Sequence, residues 1–227
     1  MIKVENIEVC NIEGALRGMR NPMNSWNRSD SYWGLQEDKT PINPNDEMFF
    51  DIGENDKKLM RELFKGGTEH RKYLRQIFVC MDITAPLYWW AEMDTYKVGI
   101  TRNSCSFMHK GVSKPFEISD FSRHEQQHIN NPLLYNAWKN IIDALNKLRD
   151  DYIDTSSNSG IEVFQQIRCL LPCGYNQRAT ITMNYENVFN ILKQRSFHRL
   201  DEWREFCQIL RTELPYVGEM EKWMYGK

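Results

Sequence analysis

The run from Ile161 to Arg195, IEVFQQIRCLLPCGYNQRATITMNYENVFNILKQR, constrains the fold more than any other stretch, because its hydrophobic period changes twice within one short segment. Ile161, Phe164, Ile167, Leu170 and Leu171 recur at helical spacing and predict an inward face, with Arg168 in the last turn before Pro172 stops the helix. Cys173 to Gln177 carries the Gly and Asn of a turn. Ala179, Ile181 and Met183 then alternate with Arg178, Thr180 and Thr182, the pattern of a half-buried strand. Asn184 falls at the N-cap of a second helix, whose Val188, Ile191 and Leu192 face inward and whose polar stripe holds Asn184, Asn187, Asn190 and Arg195. Asn is a poor helix former, so an amide-rich stripe has two readings: side chains bonding into a site, or solvated surface with one cap. Residue types alone leave both open. Helix, turn, strand and helix, with an arginine near the end of each helix, form the frame of a candidate site.

The rest of the chain fits one domain, residues 1–227, broken by an irregular segment at about 20–53. Apolar residues make up 41% of the sequence and aromatics 12%, enough for a substantial core. A net charge of -2 and a pI near 6.2 give no general attraction to long nucleic acid or to an anionic membrane. Phosphate recognition would therefore depend on locally placed Arg and Lys. No apolar run approaches the roughly 20 residues of a membrane span, and MIKVENIEVC lacks a signal-peptide core. These features predict a cytoplasmic protein whose six cysteines stay reduced and, lacking any CxxC pair, serve mostly as small buried hydrophobes.

In order, residues 1–9 alternate as an opening strand, and Glu13 to Met19 predicts a short helix. From Arg20 to Gly53 the chain is rich in Asn, Ser, Asp and Pro, yet Trp26, Tyr32 and Trp33 argue against plain disorder. The segment reads as a loop folded over a pocket or onto a neighbouring subunit; an ordered surface excursion is the alternative. A helix from about Asn55 closes at Gly66 and Gly67. Tyr73 to Thr84 predicts a strand with Ile77, Val79, Met81 and Ile83 on one face, and Pro86 opens a helix that buries Leu87, Trp90, Ala91 and Met93. On that helix Glu92, Asp94, Tyr96 and Lys97 are candidate site residues, ordinary surface charge being the other reading. Residues 98–118 look irregular; amphipathic helices follow at 132–152 and around Trp203, Phe206, Cys207 and Leu210.

These pieces resemble the flavin-dependent thymidylate synthases. The likeness runs from about residue 55 to about residue 210 and is carried by Arg168, Leu171, Pro172, Asn184, Asn190 and Arg195, spaced as in that family's R-x-x-L-P half. Ala85-Pro86 with LYWWAEMDTYK is similar to the family's A-P-I-x-V-A-R-Q helix, and His70 to the first histidine of H-x-x-P-F-E-H. The resemblance implies an α+β fold with a twisted, largely antiparallel sheet and long helices, and a homotetramer with shared flavin sites. It implies FAD-dependent methylation of deoxyuridylate, or a related pyrimidine deoxynucleotide, at C5, with methylenetetrahydrofolate and NADPH as co-substrates. It places Arg168 and Arg195 on the nucleotide and His70, Asn184 and Asn190 at the flavin.

The family's signature, R-H-R-x-x-S-x-N-x-x-S-x-R-Y, falls at TYKVGITRNSCSFM, residues 95–108, and no signature residue survives there in strict register. Lys97 keeps a positive charge at the third position and Cys105 stands where a serine belongs; a one-residue slip puts Asn103 on the signature Asn. Glu92 replaces the Gln of the A-P helix, and Gln76 the second histidine. Glu92 and Cys105 thus join the nucleotide set, and Lys97 and Asn103 the flavin set. A second function follows from these departures: a nucleotide-binding or structural homologue that kept the fold without the chemistry. A third is a zinc metalloprotease, because His124-Glu125-Gln126-Gln127-His128 matches H-E-x-x-H. Its context is poor, since Asn130, Asn131 and Pro132 end any helix within a turn and no third ligand follows.

Overall fold

The computed structural model describes residues 2–34, 49–122, 131–154 and 159–224. The chain is α+β, with an antiparallel sheet. In chain order its elements are β1 (Lys3–Cys10), α1 (Ile12–Arg20), β2 (Tyr32–Gly34), β3 (Phe49–Asp51), α2 (Glu54–Lys65), β4 (Phe78–Pro86), α3 (Leu87–Met93), β5 (Thr101–Ser104) and α4 (Phe107–Lys110). Then come α5 (Pro132–Asp154), α6 (Ser159–Leu170), β6 (Asn176–Asn184), α7 (Tyr185–Arg195), α8 (Asp201–Glu213) and α9 (Val217–Met224). The main sheet has the order β1-β4-β6-β5. Two compact units divide the chain: one holds residues 1–6, 81–181 and 197–206, the other 7–80, 182–196 and 207–227.

Alternation built the sheet as the sequence requires. Val79, Met81 and Ile83 on β4, and Ala179, Ile181 and Met183 on β6, are all buried. The opposite face is polar, and Asp82 organises it in the first unit, accepting hydrogen bonds from Thr180 (2.5 Å), Arg178 (2.7 Å) and Asn6 (2.7 Å). Those bonds hold the Asp82 carboxyl well below the usual carboxylate range.

The first unit has two aromatic cores. Trp89 packs against Trp90, Trp203 and Phe206, with ring centroids 4.7–5.4 Å apart. The predicted face of α3 is rotated: Trp89 is buried and Ala91 exposed, while Trp90 and Met93 are buried as expected. Beneath α5 and α6, Phe107, Phe116, Phe121, Leu145 and Ile167 form a second cluster. Here too the helical stripe is narrower than predicted. Ile161 is 62% exposed and Leu170 38%, because only the middle of α6 meets the cluster. The stretch 98–118, expected to be irregular, holds β5, α4 and a final 3-10 turn at Ile118–Asp120.

In the second unit, α2 closes at Gly66 and at Gly67, whose φ of 97° lies in the left-handed region open to glycine. Phe64 meets Phe189 and Trp223 edge-on, joining α2, α7 and α9. The strand expected from Tyr73 begins only at Phe78. Lys72–Gln76 is a 3-10 helix instead, since Tyr73 and the next residue, Leu74, are both buried, which a strand facing two ways cannot do. The described parts of the segment at 20–53 contain 3-10 turns at Asn21–Met23 and Trp26–Arg28 and an antiparallel pairing of Tyr32 with Asp51.

Candidate functional site

In the first unit, Arg102 on β5 ties the end of α3 to the start of β6. The Arg102 guanidinium lies 4.0 Å from the Trp90 ring centroid. Its Nη1 donates to both Asp94 oxygens (2.9 and 2.7 Å) and its Nη2 to Gln177 Oε1 (2.6 Å). Gln177 Nε2 in turn donates to the Cys105 carbonyl at 3.0 Å, and the Cys105 N–H donates to the Arg178 carbonyl at 2.9 Å. Cys105 is held by its backbone while its side chain stays exposed. Asn103, on β5, and Lys97, in the turn before it, also carry exposed side chains. Sequence reasoning did not give Arg102 this role; its stacking on Trp90 has no signature in spacing.

Glu92 is half-buried on α3. Its Oε2 accepts from Trp203 Nε1 at 2.9 Å and lies 3.4 Å from His198 Nε2. Arg168, in the last turn of α6, is exposed and lies 5.4 Å from the Phe107 ring centroid.

In the second unit, Asn184 caps α7 as its position predicts. Asn184 Oδ1 accepts from the Asn187 N–H (3.0 Å), and Asn187 Oδ1 accepts from the Asn184 N–H (3.2 Å). This reciprocal box satisfies donors that a helix start leaves open. Asn187 is thereby used in the cap, and Asn190 is the exposed amide of the stripe. Arg195 is half-buried in the last turn. His70 is exposed just beyond α2. The segment after it is tied to α7: Arg75 Nε donates to Glu186 Oε2 at 2.5 Å, and Arg71 Nε lies 3.6 Å from Glu186 Oε1. Arg71 also covers the Phe64 ring at 5.5 Å. Neither Arg75 nor Glu186 was singled out from sequence, because the bond closes across 111 positions.

The nine residues expected at nucleotide and flavin therefore divide. Glu92, Lys97, Asn103, Cys105 and Arg168 belong to the first unit; His70, Asn184, Asn190 and Arg195 belong to the second.

No protein-family model matches the sequence, and no curated protein sequence does either. Solved structures do match. Thymidylate synthase X from Helicobacter pylori, crystallised with FAD and dUMP, aligns with a TM-score of 0.64 over 98% of this chain and 97% of its own, at 15% identity. A second crystal structure, of flavin-dependent thymidylate synthase from the same organism complexed with FAD and dUMP, gives 0.63 over 97% of each chain at 16% identity. The fold is that of the flavin-dependent thymidylate synthases.

Among the described residues no group of His, Cys, Asp and Glu is arranged to hold a metal; His124, Glu125 and His128 lie outside them. No described helix is long and apolar enough to cross a membrane.

His70 and Asn190 in the second unit, and Lys97 and Asn103 in the first, make no side-chain hydrogen bond among the described residues, and each is of a chemical type that can donate to a phosphate or a carbonyl oxygen.

Proposed function

We propose that this chain binds FAD and a pyrimidine deoxynucleotide and acts as a flavin-dependent thymidylate synthase-like enzyme, methylating deoxyuridylate at C5 with methylenetetrahydrofolate. One observation carries the reading. The fold matches, over nearly the whole chain, a protein crystallised with both FAD and dUMP. In this proposal Arg168 and Arg195 take the nucleotide, since a guanidinium presents paired donors that fit phosphate and carbonyl oxygens. Glu92 and Cys105 flank the same ligand. His70, Lys97, Asn103, Asn184 and Asn190 hold the flavin, Asn184 through whatever its cap leaves available. Bound and reduced by NADPH, FAD would supply the hydride. The protein's own share is positioning, which can account for several kcal/mol of a barrier. A homotetramer belongs to the same proposal.

A second reading, a nucleotide-binding or structural homologue without turnover, is favoured by one specific arrangement. Glu92 bonds to Trp203 and Arg102 to Asp94 and Gln177, so two polar groups in and beside the degenerate segment are engaged within the chain.

One preparation separates the two. The purified chain is titrated with FAD, following the visible bands, and with dUMP by calorimetry; dTMP formation is then assayed with NADPH and methylenetetrahydrofolate. The enzyme reading expects a yellow protein, binding of both ligands, and loss of dUMP binding in Arg195→Ala. Binding without dTMP leaves the second reading. A colourless protein that ignores both ligands overturns the nucleotide site altogether.

A further inference from the structure

Within the second unit, the segment between α1 and α2 is built around a buried ion pair. Arg20 is 4% exposed and Asp56 fully buried; Arg20 Nε donates to Asp56 Oδ1 at 2.6 Å, while Ser29 and Ser31 hydroxyls both donate to Oδ2 at 2.6 Å. Asp30 accepts the N–H groups of Asn55 and Asp56 at the start of α2. The 3-10 turn Trp26–Arg28 is thereby held in place from both sides. Two hollows open on it. One, of about 180 Å³, is lined by Trp26, Tyr32, Trp33 and Phe50 together with Arg17, Arg20 and Glu13, whose carboxylate accepts from Trp33 Nε1. The other, of about 520 Å³, is lined by residues that include Arg20, Asn24, Asn27, Arg28, Asn55 and Lys58.

Three features set these hollows apart from ordinary surface. Trp26, Tyr32 and Trp33 each leave half or more of their area in water, which gathers three large rings on one patch. Arg28 and Lys58 have no ion-pair partner among the described residues, and Glu62 is the carboxylate that faces them in the larger hollow. Arg20 lines both hollows, and its Nη2, shut off from solvent, has no hydrogen-bond partner. That nitrogen is as closed to an anion in either hollow as it is to water, so what Arg20 gives the two hollows is a shared wall.

We propose that the two hollows form one binding site for a nucleoside 5′-phosphate, additional to the proposed sites for flavin and pyrimidine deoxynucleotide. The base stacks in the aromatic hollow on Trp26 or Trp33. The phosphate lies between Arg28 and Lys58, and the three Asn carboxamides, each both donor and acceptor, face the ribose hydroxyls. The larger hollow falls within the size range of small-molecule sites. None of the nine residues assigned to flavin and deoxynucleotide lines it.

The test uses the full chain and three probes: adenosine 5′-monophosphate, adenosine, and inorganic phosphate, read by tryptophan fluorescence and calorimetry. The nucleotide is expected to bind more tightly than either fragment. Trp26→Ala and the surface double variant Arg28→Gln/Lys58→Gln should each weaken it by about tenfold or more, with unchanged circular dichroism. Raising salt should weaken the wild type more than the double variant. Arg195→Ala should leave the affinity unchanged, so this site can stand even if the proposed enzyme site fails. Absence of binding overturns the proposal. So does binding that survives Arg28→Gln/Lys58→Gln but is lost in Arg195→Ala, because the ligand then occupies the other site.

Discussion

Replacing Arg20 by Met removes one half of the ion pair and leaves the Asp56 carboxylate, 0% exposed, with only the Ser29 and Ser31 hydroxyls as partners. Breaking a buried pair from one side costs about 3–5 kcal/mol, because the remaining charge stays desolvated. Against a domain stability of about 5–15 kcal/mol this is about a fifth of the total or more. Adding Asp56→Asn keeps an acceptor for the serines and removes the stranded charge. The double variant should therefore be more stable than the sum of the singles predicts, by about 2–3 kcal/mol. The pH dependence has a definite sign. Burial alone would raise the Asp56 pKa, but the bonds from Ser29, Ser31 and Arg20, with the Arg20 charge, more than offset it and hold the carboxyl below its ordinary 3.8. A depressed folded pKa contributes stability that is present above the unfolded value and is lost as pH falls below about 3.8. Removing Arg20 takes away two of the lowering influences and raises the folded pKa relative to wild type, so the deficit of Arg20→Met should narrow as pH is lowered from neutrality into the acid range. Urea unfolding followed by fluorescence and circular dichroism measures both effects. If the two units melt separately, the loss belongs to the transition of the unit containing residues 7–80. A loss under 1 kcal/mol for Arg20→Met, or strict additivity in the double variant, would refute the argument.

Asn184→Ala should destabilise the chain by about 1 kcal/mol, because it removes one arm of the capping box at α7; Asn184→Asp, which keeps the acceptor, should cost less in the same urea experiment. Burial pushes the Cys207 thiol up to about 11, with smaller opposing effects from Arg211 and Ser196. At pH 8 it should resist a thiol reagent that modifies the exposed Cys10, Cys105, Cys169 and Cys173, and it should react only after denaturant is added. Mass spectrometry of the native, labelled protein would reveal the opposite outcome directly.

The sequence determined much of the local structure. Period-two alternation located β4 and β6 and their buried faces, because a pleated strand has no other way to hide every second residue. Helical spacing located α2, α5, α7 and α8, and Asn184 marked the start of α7, since a capping bond closes within three residues. The same signals failed where a neighbour had to be known. Ile161 and Leu170 are apolar but uncovered, Trp89 rather than Ala91 turns inward, the strand expected from Tyr73 starts late, and α9 carried no recognised periodic pattern.

The candidate site divides in the same way. Its residue types and spacing in α6, β6 and α7 were legible in one dimension and led to the fold. The partners that fix it were not. Arg75 meets Glu186, and Trp203 meets Glu92, each across 111 positions. A cap or a heptad leaves its mark in adjacent residues, whereas an ion pair between distant segments leaves none. Only the packing of the backbone around each pair decides which charge finds which partner, and so which side chains stay available for a ligand.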